Sequence, residues 1–138
     1  MGVWGGMLRL QTPGHGHIVD LTEGVERIVA ASSVDRGLVT VFAVGATVAV
    51  TTMEYEPGGV SDLQALLDRL IPVEGDYEHN RLNHDTNSHA HLRAAVIGPS
   101  ETIPVLEGRP ALGTWQQIVL IDFDDRPRER TITVQVLS

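Results

Sequence analysis

The sequence predicts one α+β domain, an antiparallel β-sandwich-like body carrying two to three short helices. Three observations point there. The last third of the chain is almost entirely strand-forming, helical periodicity is confined to isolated stretches, and strand and helix patterns do not alternate as βαβ units would. With 138 residues, 42% of them hydrophobic, the chain can bury one core without staples. No repeat, low-complexity segment or linker divides it, so residues 1–138 are read as a single domain.

Met7 to Thr12 and His17 to Leu21 read as two short strands around Pro13-Gly14. Thr22 predicts the N-cap of a helix bearing Val25, Ile28 and Val29 at i, i+3 and i+4, ending before Gly37. Leu38 to Glu54 is rich in Val, Thr, Ala and Phe, which suits paired strands. Its apolar residues fall at both parities, so burial on both faces is expected, inside a sandwich or at a subunit contact. Ser61-Asp62-Leu63-Gln64 reads as a capping box before the stripe Leu63, Leu66, Leu67 and Leu70, with Pro72 as the stop.

Pro72 to Asn83 reads as a long polar loop. A short helix is expected from Asn87, with Leu92, Ala95 and Val96 on one side and Gly98 at its end. Strands follow at Glu101 to Leu106, Ala111 to Trp115, Gln117 to Asp124 and Glu129 to Leu137. The last of these alternates cleanly, Ile132, Val134 and Val136 opposing Thr131, Thr133 and Gln135.

Composition removes several chemistries. There is no cysteine, hence no disulfide, thiolate ligand or thiol nucleophile, and no lysine, hence no Schiff base or P-loop. A net charge of -8 opposes a nucleic-acid partner, although local arginines can still hold a small phosphorylated metabolite. The longest apolar stretch, Leu38 to Met53, is too short and too polar to span a bilayer comfortably, and no charged-then-apolar leader is visible. A cytoplasmic protein with no membrane partner is expected.

Four of the six histidines, His79, His84, His89 and His91, fall within thirteen residues, with Asp85 and Asn87 among them. Imidazoles at this density suit a metal or acid–base site, and equally suit a solvated loop. On a helix His89 and His91 point about 200° apart, so only one faces a site. His91 is preferred because it precedes the apolar run and should be the more buried of the two. Glu54 ends an apolar strand, where general bases and oxygen ligands are often presented. Arg109 and Arg93 are candidate anion donors, Ser100 follows the Gly98-Pro99 turn, and Gln116 stands in Gly113-Thr114-Trp115-Gln116-Gln117.

These motifs, in this order, carry a resemblance. Asn87-Ser88-His89-Ala90-His91-Leu92-Arg93-Ala94, Gly98-Pro99-Ser100, Ile103-Pro104-Val105, Glu107-Gly108-Arg109 and Leu112-Gly113-Thr114-Trp115-Gln116 are similar to the YjbQ family. So are Glu54, His79 and the closing arginine-rich strand. The resemblance implies a compact sandwich-like homotrimer with secondary thiamine-phosphate synthase activity. That reaction condenses an aminopyrimidine diphosphate with a thiazole phosphate and releases pyrophosphate. Glu54, His79, Asn87, His91, Ser100 and Gln116 match the family's recurring polar positions. The family's usual His-Thr-Thr is replaced here by Gly45-Ala46-Thr47, so weak activity is expected. The site then reads as catalytic Glu54 and His91, with Asn87, Arg93, Ser100, Arg109 and Gln116 binding substrate. His79, His84 and His91 are the candidates to hold a divalent metal, Mg or Zn. The alternatives are a metal-dependent hydrolase of a small phosphorylated metabolite and a non-catalytic trimeric binding protein.

Overall fold

A computed structural model describes residues 2–138. The order is β1 (Val3–Thr12), β2 (His17–Asp20), α1 (Thr22–Ser32), β3 (Gly37–Ala43), β4 (Val48–Met53), α2 (Pro57–Leu70) and α3 (Glu78–Asn83). Then come α4 (Ser88–Ile97), β5 (Ser100–Leu106), β6 (Arg109–Pro110), β7 (Gln117–Asp122) and β8 (Arg128–Leu137). All strand pairs are antiparallel, in a five-stranded sheet β1-β8-β3-β5-β6 and a three-stranded sheet β2-β7-β4. The α+β sandwich is therefore as expected, with four helices rather than two or three. Among the described residues no helix is long and apolar enough to cross a membrane.

The three-stranded sheet is the middle layer. Ile118 and Leu120 of β7 and Val48 and Val50 of β4 meet Val39, Val41, Ile132, Val134 and Val136 of the larger sheet, with Val25 and Val29 of α1 closing that core. From its other face, Val119, Ile121 and Ala49 pack with Phe123 against Leu67 of α2 and Ala90 and Ala94 of α4. A strand buried on both faces needs no polar alternation. That accounts for the unbroken apolar run of β7 and for the missing alternation in β4. It does not hold for β3, whose outward Leu38 and Phe42 are 43% and 42% exposed.

Several boundaries differ from the sequence reading. β1 and β2 do not pair with each other; they enter different sheets, through β8 and β7. α1 starts at Thr22, whose hydroxyl accepts the Ile118 amide instead of capping the helix. α2 begins at Pro57, four residues before the expected capping box, because Glu56 caps it by accepting the Gly58 and Gly59 amides. Of its leucine stripe only Leu67 is buried, while Leu66 and Leu70 stay exposed. The expected loop contains α3, a one-and-a-half-turn helix held by Arg81 against Asp76 and Glu78 rather than by an apolar face. Ala111 to Trp115 is not a strand: β6 ends at Pro110, and Gly113 then donates to Gln116 Oε1 at 3.0 Å.

The position of the α2 cap is directly testable. Glu56→Ala should cost about 1 kcal/mol in denaturant unfolding, by loss of an N-cap acceptor. Ser61→Ala, now an exposed mid-helix change, should stay within about 0.5 kcal/mol of the parent. The reverse ranking would restore the capping box as the start of the helix.

Candidate functional site

The start of β4, the N-terminus of α4 and the start of β8 converge on one end of the middle sheet. Asn87 occupies the N-cap position of α4 and is buried; its carbonyl accepts the Ala90 and His91 amides at 3.0 and 3.2 Å. Its side-chain Oδ1 accepts from His79 Nε2 at 3.0 Å, and Asn80 Oδ1 accepts the Ser88 amide at 3.1 Å. The short helix α3 is thereby fastened to α4. The His79 and His91 rings lie 4.7 Å apart, tilted by 56°.

Beneath them lies a polar network that the sequence reading did not single out. Arg130, 8% exposed along its side chain, grips Asp122 through Nε at 2.8 Å and Nη2 at 2.9 Å. Its Nη2 also donates to Thr47 Oγ1 at 2.7 Å, and that hydroxyl donates to Asp124 Oδ2 at 3.1 Å. Arg128 Nε donates to the same Asp124 oxygen at 2.6 Å, and Thr12 donates to Asp122. Burial pushes the Asp122 and Asp124 carboxyls upward. The hydrogen bonds of Arg130 and Thr12 at Asp122, and of the Asp125 amide and Arg128 at Asp124, outweigh it and hold both below the usual carboxylate range.

All of these acceptors engage Nε and Nη2 of Arg130. Nη1 has no protein partner among the described residues and lies toward Gly45, where a built Cβ would approach it to 3.0 Å. Gly45 itself has φ +145°, a conformation that favours glycine. A cavity of about 290 Å³ opens here, lined by Thr47, Asn87, His91, Asp124, Arg128 and Arg130. A second, largely apolar hollow of about 350 Å³ shares Ala46 and His91 with it and continues over Gly45, Val48, Ala94 and Pro99. The arrangement offers unspent guanidinium donors and an imidazole to an anionic group, with an apolar shelf beside them.

The remaining expected residues lie elsewhere. Glu54 follows the far end of β4, whose six residues separate it from the Thr47 end by about 20 Å. Within one chain, therefore, it does not share a cleft with His91. Gln116 bonds Thr52 at 3.0 Å near that far end, and it lines a separate cavity of about 340 Å³ with Arg109 and Glu26. Ser100 starts β5, exposed and opposite Phe42 on the outward face of the large sheet. Arg93 is buried on the other side of α4, donating to Ile71 O at 3.0 and 2.7 Å and to Asp68 at 3.0 Å. His84 is exposed at the C-cap of α3 with φ 50°. Among the described residues no three His, Cys, Asp or Glu side chains converge on a metal position, so one chain does not assemble the expected His79, His84 and His91 set.

The helix α4 also reverses an expectation about burial. His89 is 3% exposed and His91 is half-buried, while Leu92 and Val96 face outward at 42% and 73%. His89 and Arg93 define the buried face instead. Burial, then the Arg93 charge, lowers the His89 pKa below its ordinary 6.5, and its Nδ1 has no partner among the described residues. The arginines and aspartates of the network were visible only as the alternating inward positions of the last two strands. A buried arginine at an inward position of β8, Arg130 in line with Ile132 and Val134, is the signal that could have found them.

A family model described as UPF0047 protein YjbQ-like matches residues 6–138. A UPF0047 protein of Archaeoglobus fulgidus is 39% identical over 130 residues, covering 94% of this chain and 98% of the relative. A YbjQ-like protein of unknown function from Sulfolobus solfataricus superposes with TM-score 0.94 at 33% identity, covering 99% of this chain and 98% of the other. A hypothetical protein of Aeropyrum pernix does so with TM-score 0.90 at 34% identity, covering 97% and 98%.

Acid should unfold the protein in two stages. A base whose folded pKa is depressed contributes stability fully present above its ordinary pKa and lost as pH falls below it. His89 therefore sets a first decline as pH drops below 6.5. The depressed aspartates contribute stability that disappears only as pH falls below 3.8, toward their folded values. His89→Asn should flatten the loss of Tm between about pH 7 and about pH 5; an unchanged slope would remove His89 from this role. Arg130→Met should cost about 3–5 kcal/mol by stranding the buried Asp122 carboxylate, whereas the partly exposed Arg128→Met should cost about 1 kcal/mol or less.

Proposed function

The chain belongs to the UPF0047 YjbQ-like family, and on that premise we propose that it binds small phosphorylated metabolites at the Arg128–Arg130 cavity and acts as a slow thiamine-phosphate synthase. The observation that carries this reading is the buried guanidinium of Arg130. Its carboxylate partners hold Nε and Nη2, which fixes the fork in place and leaves Nη1 available to a ligand oxygen. Arg128 spends only Nε, on Asp124, and adds further donors at the same rim. A preorganised cationic donor pair of this kind suits phosphate oxygens.

In the proposed reaction the thiazole ring nitrogen attacks the methylene carbon of the aminopyrimidine diphosphate. The carbon–oxygen bond breaks, and its electron pair leaves with pyrophosphate. Arg128 and Arg130 hold the charge that accumulates on the leaving oxygens. His91, oriented by its stack on His79, offers one more donor at the cavity wall, and Asn87 fixes His79 in turn. The apolar shelf over Val48, Ala94 and Pro99 receives an uncharged ring. The donor set of one chain does not fit a resident metal, so no step is assigned to one.

We propose homotrimeric assembly as well, through the outward face of the large sheet. Val3, Leu137, Leu38 and Pro104 form one cross-strand row there, and Met7, Thr133, Phe42 and Ser100 another. Val3, Met7, Leu38, Phe42 and Leu137 are 42–62% exposed on a single chain, and both rows lack charge. An apolar sheet face of this extent supports a contact between copies.

Binding is tested with inorganic pyrophosphate in a calorimetric titration. Arg128→Gln should weaken it about tenfold, as expected for loss of a charged hydrogen-bond donor. His91→Ala should abolish product formation from the two phosphorylated halves while leaving the sedimentation of the parent trimer unchanged. Turnover equal to the parent's, from protein purified identically, would assign the activity to a contaminant or to another site. Pyrophosphate binding without turnover in the parent would favour a non-catalytic binding protein. Phe42→Asp should dissociate the assembly, and a parent that sediments only as monomer at micromolar concentration would end the trimer proposal.

A further inference from the structure

The buried face of α4 borders a cavity that the reading above does not use. It measures about 220 Å³, lies between α2, α4 and the middle sheet, and is the more enclosed of the hollows on either side of α4. Its floor is Ile18, Leu67, Ile121 and Phe123, and His15, Gln64, Asp68 and Arg93 are its polar lining. The volume falls below the roughly 300–1,000 Å³ that holds drug-sized ligands, so a small molecule is the fitting occupant.

The hydrogen-bonding groups around it are specific. Arg93 is only 5% exposed, and its Nε and Nη2 are committed to Ile71 O and Asp68; Nη1 has no protein partner among the described residues. Gln64 donates from Nε2 to Gly16 O at 3.3 Å, which leaves its Oε1 as a free acceptor. One donor and one acceptor thus stand beside an apolar floor that includes an aromatic ring. The Arg128–Arg130 cavity sets two arginines against one lining carboxylate, Asp124, with Asp122 bound beneath, whereas this cavity sets one arginine against one carboxylate. The Arg93 cation already carries Asp68 at 3.0 Å, so the lining pair sums to zero. A charged ligand would lose its hydration here without a free counter-charge, whereas a neutral amide would meet both groups.

We propose that this cavity is a second ligand site, taking a small uncharged amide or lactam with an apolar ring. The carbonyl accepts from Arg93 Nη1, the amide N–H donates to Gln64 Oε1, and the ring lies on Ile121 and Phe123. The site is independent of the phosphate reading, although α4 carries Arg93 on one face and His91 on the other. An occupant therefore bears on the helix that positions His91.

The full-length protein with labelled methyl groups is titrated by NMR with benzamide and with sodium benzoate at about pH 8, where histidine is neutral. Benzamide should shift the methyls of Ile18, Leu67 and Ile121, leave those of Val39 and Val136 in the other core unmoved, and bind more tightly than benzoate. Asp68→Asn removes the neutralising charge at an exposed position and leaves both Arg93 bonds to Ile71 intact. It should move the benzamide-to-benzoate affinity ratio about tenfold toward benzoate. No shift at those three methyls at saturating benzamide, tighter benzoate binding by the parent, or a ratio unaltered by Asp68→Asn would each overturn the proposal.

Discussion

The buried grip of Arg130 on Asp122 and Asp124 organises one end of the molecule. Arg130 belongs to β8 of the large sheet, and Asp122 belongs to β7 of the middle sheet. Thr12 reaches the same cluster from the end of β1 and Thr47 from the approach to β4. The two sheets are otherwise held by side chains such as Val134 and Leu120, which attract without direction. A charge-assisted network fixes what dispersion leaves free, the relative slide of the layers. Its benefit to net stability is small, because desolvation offsets much of the attraction. Its consequence for geometry is larger: every acceptor sits on one side of the guanidinium, so the other side is left for a ligand.

That asymmetry leaves a guanidinium donor unspent within a protein of net charge -8, and it depends on arginine. A lysine ammonium in place of Arg130 would be a point charge consumed by its carboxylates. The planar fork can spend two nitrogens on Asp122 and keep the third. Gly45 completes the arrangement. Any side chain there would meet Nη1 at the Cβ and would need the φ +145° backbone that glycine tolerates. Gly45 therefore keeps the access to Arg130 Nη1 open.

Much of the fold was legible because it rests on local pattern. The strict alternation of Ile132, Val134 and Val136 translates directly into the inward face of β8. The mixed parity around Val48 to Val50 marks the middle layer of the sandwich. What was misread lacks a standard pattern. Glu56 is an unusual cap, and it works because two successive glycine amides reach its carboxylate. α3 has no apolar stripe to reveal it, and its anchors are Arg81 within and Asn87 beyond. The site divided in the same way. His79, Asn87 and His91 were legible as a cluster because imidazoles at that density point to a site, whereas Arg130 and Asp122, no farther apart in sequence than His79 and Asn87, read only as parts of two strands. Glu54 and Gln116 were grouped with His91 by family resemblance, yet the length of β4 separates them within one chain.

The helix α4 shows why burial and function should not be equated. Residues 89, 91 and 93 follow one another at steps of two, and on a helix such steps alternate sides. The buried side takes His89 and Arg93 because Leu67 and Phe123 pack there, and a histidine on it is driven toward neutrality with a nitrogen unpaired among the described residues. The other side takes His91, which stays half-open and reaches the Arg128–Arg130 cavity. Of the two histidines only His91 lines that cavity, and it is the more exposed one, against the expectation that it would be the more buried. A group that meets a ligand needs an opening, and the opening is what its accessibility measures. α4 is thus a partition, with the Arg128–Arg130 cavity on one face and the Arg93–Asp68 cavity on the other.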